Sequence, residues 1–198
     1  MNKLISSSIA VLILGASAQA TLFDFDFLGK AGAGLLSGNE NGTIFGTPGS
    51  GGELAGGIHY DDITNLMTFD VGWGSGKGFL DLTGSVTGGH LHGPTPSSGA
   101  ASFLENTGVK YPLDSLPGWN TSGTNGGFTG STTILEADEP TLLAGRFYFN
   151  VHTAASGGGV NPGGEIRGNL VPAPVPEPAT VGLLALGGLA LVRRRRTS

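Results

Sequence analysis

The chain has 198 residues, 37 of them glycine and none cysteine, with a formal net charge of −5. Without cysteine there is no disulfide, thiolate metal centre or thiol nucleophile, so stability rests on burial. Residues 21–176 are more acidic than the whole, with five lysines and arginines (Lys30, Lys77, Lys110, Arg146, Arg167) against 14 carboxylates. That balance of −9 repels nucleic acid and anionic lipid.

Met1 to Ala20 read as a secretory signal peptide: Lys3 gives the positive start, Ile9 to Leu14 the apolar stretch, and Ala18-Gln19-Ala20 the small-residue cleavage site. The mature body then begins near Thr21 and is long enough for one domain with its own core, spanning 21–170. Its strands follow a period of two. Phe23, Phe25 and Phe27 alternate with Asp24 and Asp26; Met67, Phe69, Val71 and Trp73 alternate with Thr68, Asp70 and Gly72 after a turn at Asp61-Asp62 and Thr64-Asn65. Phe147, Phe149 and Val151 alternate with Arg146, Tyr148, Asn150 and His152. Glycines cluster at Gly46–Gly57, Gly72–Gly78, Gly123–Gly130 and Gly157–Gly164, which reads as punctuation between short strands. Each strand has one apolar face, so the expected fold is all-β: an immunoglobulin-like or Greek-key antiparallel β-sandwich. Pro112 to Gly130 reads as a turn-rich insertion carrying an exposed Trp119.

The chemistry-bearing residues are histidines. In His90-Leu91-His92 the two imidazoles share one strand face while Leu91 points to the core. His152 lies on the polar side of its own strand; if the two strands are neighbours, His90, His92 and His152 form a candidate metal site. Glu165 and Arg167 flank an inward Ile166 and are expected to share a face as a polar network, Arg167 pairing with Glu165 or covering His152. No serine occupies a Gly-x-Ser-x-Gly elbow, and the Gly72–Gly78 stretch lacks the spacing of a phosphate loop.

After a Pro-rich linker, 171–178, the chain runs through 14 apolar residues, Ala179 to Val192, and ends in a basic tail, 193–198. As a helix the run would be about 21 Å long, short of the roughly 20 residues that span a bilayer comfortably. It suits a transient membrane contact, with Arg193, Arg194, Arg195 and Arg196 as the cytoplasmic stop.

The combination of Pro176-Glu177-Pro178, apolar run and arginine cluster resembles the PEP-CTERM sorting signal of Gram-negative bacteria. That resemblance implies processing by an exosortase and delivery to the cell surface or extracellular matrix. In the body, Gly89-His90-Leu91-His92-Gly93-Pro94, Phe149-Asn150-Val151-His152-Thr153 and Asn161 to Leu170 resemble the CHRD domain, as does Leu36-Ser37-Gly38-Asn39-Glu40 at its opening. This implies an extracellular β-sandwich and leaves its activity open.

Copper/zinc superoxide dismutases are similar in a narrower way: a His-x-His strand, a later Val-His, and an arginine after a Gly-rich loop. Their bridging and zinc-side histidines and their cysteine pair have no counterpart here, and His59 precedes the pair. At most a single-metal, copper-like or other divalent site of three histidines is implied. The expected function is therefore a non-enzymatic matrix or binding component, with polysaccharide or matrix protein as partner and no cofactor required. The alternative is a metal-dependent redox protein.

Overall fold

The structure, a computed structural model, describes residues 20–40, 49–154 and 161–173. The signal peptide, the Pro-Glu-Pro motif, the apolar run and the arginine tail lie outside these residues. Among the described residues, no helix is long and apolar enough to cross a membrane.

The body is antiparallel β-structure, as the period of two predicts. Its strands are β1 (Leu22–Gly29), β2 (Gly32–Ala33), β3 (Leu35–Leu36), β4 (Ser50–Asp61), β5 (Leu66–Trp73) and β6 (Val86–His92). They continue as β7 (Val109–Pro112), β8 (Trp119–Ser122), β9 (Asn125–Thr133), β10 (Phe147–Thr153) and β11 (Asn161–Pro172), with a short helix, α1 (Glu139–Leu143), before β10. The strand order is β7-β6-β10-β11-β1-β4-β5-β9-β8. β1 is the hinge of this order: Leu22 to Asp24 pair with β4, and Phe25 to Leu28 pair with β11. The sheet thus turns a corner at β1, and its two halves face each other across a common core.

Phe149 marks the centre of that core. Its ring lies 5.8 Å from Phe27 of β1, 6.4 Å from Trp73 of β5 and 6.4 Å from Trp119 of β8, so one side chain on β10 touches the opposite half of the fold. Aromatic contacts of this kind add to the burial energy of the rings themselves. The alternating residues fall where the pattern puts them: Phe25, Phe27, Met67, Phe69, Val71, Trp73, Phe147, Phe149 and Val151 are all buried. The β4–β5 turn forms at the expected place, Asp61 Oδ1 accepting from the Ile63 and Thr64 amides.

Two expectations change. The segment Pro112 to Gly130 is not a loose insertion: it supplies β8 and most of β9, the outer strands of one half. Trp119 is accordingly half-buried on β8, its ring tilted against Trp73 with centroids 5.0 Å apart. The glycines also do more than punctuate turns. Gly51, Gly72, Gly126 and Gly127 lie inside strands, and a Cβ on Gly126 would come 2.8 Å from the Trp73 ring. The bulky indoles fit because the backbone beside them is bare.

Gly89 of β6 gives the sharpest test, since a Cβ there would sit 2.0 Å from the Trp119 ring. Gly89→Ala is expected to cost about 1–3 kcal/mol in urea unfolding through overpacking. At Gly108 a Cβ meets nothing within 4 Å. Gly108→Ala should therefore stay within about 0.5 kcal/mol of the parent.

Candidate functional site

The site grows from the outward faces of β6, β10 and β11. β10 lies between the other two, with Tyr148 opposite His92, Asn150 opposite both His90 and Arg167, and His152 opposite Gly88. Leu91, Phe149, Val151 and Ile166 take the core side. Their outward neighbours therefore form one polar patch, as strand alternation requires.

An outward face usually meets water, but most of this one does not. Residues 94–108 fold back across it, with a 3-10 turn at Gly99–Ser102, and bury Tyr148, Arg167 and Asn169 almost completely, while Asn150, equally buried, donates to the Gly163 carbonyl at 2.9 Å. From the other side the Ser37–Asn39 turn closes on β11, where Asn39 Nδ2 donates to the Arg167 carbonyl at 3.0 Å.

His90, His92 and His152 converge at the rim of the covered patch. One ring nitrogen from each lies within 4.8 Å of the others, and His90 Nδ1 stands 3.1 Å from His152 Nε2. The His90 and His92 rings are oriented by a partner on their far side. His92 Nδ1 donates to the Thr107 carbonyl at 2.9 Å, and His90 Nε2 faces Asp114 Oδ2 at 3.2 Å. In the neutral rings these contacts leave the His92 Nε2 and His90 Nδ1 lone pairs turned inward. Carbonyl or carboxylate backing of this kind orients metal-binding histidines. His92 Nε2 and Asn150 Oδ1 are both buried and make no hydrogen bond of good geometry, although the Asn150 side chain lies near enough to act on the imidazole. Buried polar atoms are rarely left so. A three-imidazole donor set suits zinc, copper or another late first-row divalent ion, and the inward lone pairs fit such an ion.

Glu165 and Arg167, expected to pair, are held by different groups. Near Glu165 the β10–β11 register shifts, and its carboxylate accepts from Thr83 N and Oγ1, Thr153 Oγ1 and Gly49 N at 2.6–3.1 Å. Arg167 donates to the Ser102 and Glu105 carbonyls, both at 3.0 Å, and to Asn106 and Asn169 side chains. Its guanidinium carbon lies 3.5 Å from the Tyr148 ring centre, so it stacks there and does not cover His152. Nearby, burial pushes the Glu40 carboxyl up to about 8, against the opposing pull of Arg167. His59 is elsewhere, on β4, where it contacts Asp24 at 2.6 Å.

The residues that sequence reasoning missed are Asp114, Thr107, Tyr148 and Asn150. Tyr148 and Asn150 were legible as outward positions of β10, but nothing in the sequence marked them as covered. Asp114 and the Thr107 carbonyl reach the site through loop geometry, which carries no period.

An all-β fold whose outward polar face carries a three-histidine cluster defines a β-sandwich module with a candidate metal centre. The CHRD domain family matches residues 35–170, most of the chain, and the protein belongs to that family. The PEP-CTERM protein-sorting motif matches residues 174–196, so the chain carries a signal for recognition by an exosortase, with export to the surface or the extracellular space. No curated protein and no solved structure matches. The likeness to immunoglobulin-like domains and superoxide dismutases stays a loose architectural analogy, and Arg167, fully buried behind Tyr148, is not placed to meet a diffusing anion.

Burial holds the His92 pKa below its ordinary 6.5, the charge of His90 acting the same way and the Thr107 bond opposing it. A depressed histidine leaves the folded state unprotonated while the unfolded chain already takes up a proton. His92 therefore costs stability as pH falls below about 6.5 toward the lower folded value, and costs none above it. His92→Gln should flatten the fall in urea midpoint between about pH 7 and pH 5. An unchanged slope would mean that the ring is solvated.

Proposed function

We propose that the exported domain is a non-enzymatic, metal-binding component of the cell surface or extracellular matrix, with His90, His92 and His152 as the ligands. The observation that carries this reading is the backing of His90 and His92 by Asp114 and Thr107, which turns two lone pairs toward His152 and leaves His92 Nε2 buried without a hydrogen bond of good geometry. A tetrahedral ion with metal–nitrogen bonds of about 2.0–2.1 Å spaces its ligand nitrogens about 3.3–3.4 Å apart. The cluster, within 4.8 Å, needs side-chain adjustments of about 1 Å to reach that spacing.

Bound there, a divalent ion would act as a Lewis acid or, as copper, as a redox centre. The chain's own residues hold the rings in place, keep the His92 side dry and leave the His90–His152 side open. That side borders a cleft of about 460 Å³ that includes Gly88, Asp114 and Thr153. A donor group from a polysaccharide or matrix protein has room to approach here, which supports a binding role. The same opening favours one second reading, a copper redox protein.

Copper(II) and zinc titrations of the purified, tag-free protein test the proposal. One equivalent is expected to bind, and His92→Ala should weaken binding by more than about 100-fold, since even outer partners of such ligands cost 10–100-fold. Wild-type protein that takes up neither ion would overturn the proposal. Superoxide consumption by the copper-loaded protein, lost in the same variant, would favour the redox reading instead.

A further inference from the structure

Arg167 is the largest charged side chain in the buried layer, yet it touches none of the three histidines. Its contacts lead to one of them by two routes. The first is the covering segment. Arg167 Nη2 holds the Ser102 carbonyl and Nη1 the Glu105 carbonyl, each at 3.0 Å, and Nη1 also reaches Asn106 Oδ1 at 3.3 Å. Two residues beyond Glu105, the Thr107 carbonyl accepts the hydrogen bond from His92 Nδ1. The group that sets the His92 tautomer therefore rides on a stretch of backbone that Arg167 fastens.

The second route is Tyr148. In strand order it stands between His92 on β6 and Arg167 on β11. The His92 and Tyr148 rings are stacked at 4.8 Å with only 9° between their planes, and the guanidinium lies 3.5 Å from the Tyr148 ring centre. The phenol also meets Thr107, its oxygen lying 3.2 Å from the amide that donates to it and 3.3 Å from the carbonyl. One cation thus fixes the plane of the imidazole through a ring and its rotation through a carbonyl. Histidine ligands need both to be fixed, because a tilt or a flip of the ring takes the lone pair off the ion.

We propose that Arg167 is a positioning residue for the metal centre, orienting His92 through the Ser102–Thr107 segment and through Tyr148. The inference rests on the metal-binding reading above. Lysine cannot replace arginine in this role: a point charge on a flexible stem does not reproduce the planar fork that spans two carbonyls and stacks on a ring.

The test uses copper(II) added to the full chain as wild type, Arg167→Lys, Arg167→Met and Tyr148→Leu, with folding of each checked by circular dichroism. Affinity is measured against a competing chelator, and the number of nitrogen ligands is read by electron paramagnetic resonance. Arg167→Met should bind about 10–100-fold more weakly, as outer-partner losses do, with one imidazole missing from the spectrum. Arg167→Lys should recover only part of that loss. If Arg167→Met does not fold, Tyr148→Leu, which removes the plate and keeps the guanidinium bonds to the segment, should show the same missing imidazole. Folded Arg167→Lys and Tyr148→Leu with wild-type affinity and spectrum would overturn the inference and leave the metal-binding reading intact. Wild-type protein that binds neither copper nor zinc would overturn both.

Discussion

A buried guanidinium must find an acceptor for its donors, and that constraint organises the outer layer of this protein. Arg167 sits on a strand face that would ordinarily meet water. Once residues 94–108 cover it, leaving its donors unpaired would cost roughly 1–3 kcal/mol for each group. The cover therefore arrives with its own acceptors, the Ser102 and Glu105 carbonyls. A segment with only one 3-10 turn of regular structure is tied to the sheet by the same bonds that make the burial tolerable. The aromatic face of Tyr148 completes the enclosure.

The core was legible in the sequence because its signal is periodic. Phe69, Val71 and Trp73 on β5 and Phe147, Phe149 and Val151 on β10 alternate with polar residues, and a sheet with one dry face admits only that pattern. The adjacency of the His90 and His152 strands was a condition in the sequence and is met in the fold, as is the inward Leu91. The covering of the outward face was not legible. Tyr148 and Arg167 alternate as solvated residues do, and only the path of a loop remote in sequence decides that they are buried. Glu165 escaped for a related reason: the register shift beside it breaks the period that relates it to Arg167.

The glycines are an instructive case of a composition read too locally. A high glycine content with regular spacing points to turns, and several glycines do sit there. Gly89 and Gly126 instead make room for indole rings arriving from other strands. The two tryptophans and the bare backbone beside them form one packing solution, which a single-sequence reading divides into a loop aromatic and a turn residue.

The pairing of β1 with β11 joins the first and last strands of the domain, and Ala173 N still donates to the Asp24 carbonyl at 2.8 Å just before the sorting motif begins at residue 174. A chain that crosses a membrane amino end first cannot complete this fold while it is still threading. The partner of its opening strand lies more than 130 residues further along the chain. The strand that seals the core is also the last to emerge, and the sorting tail follows at once.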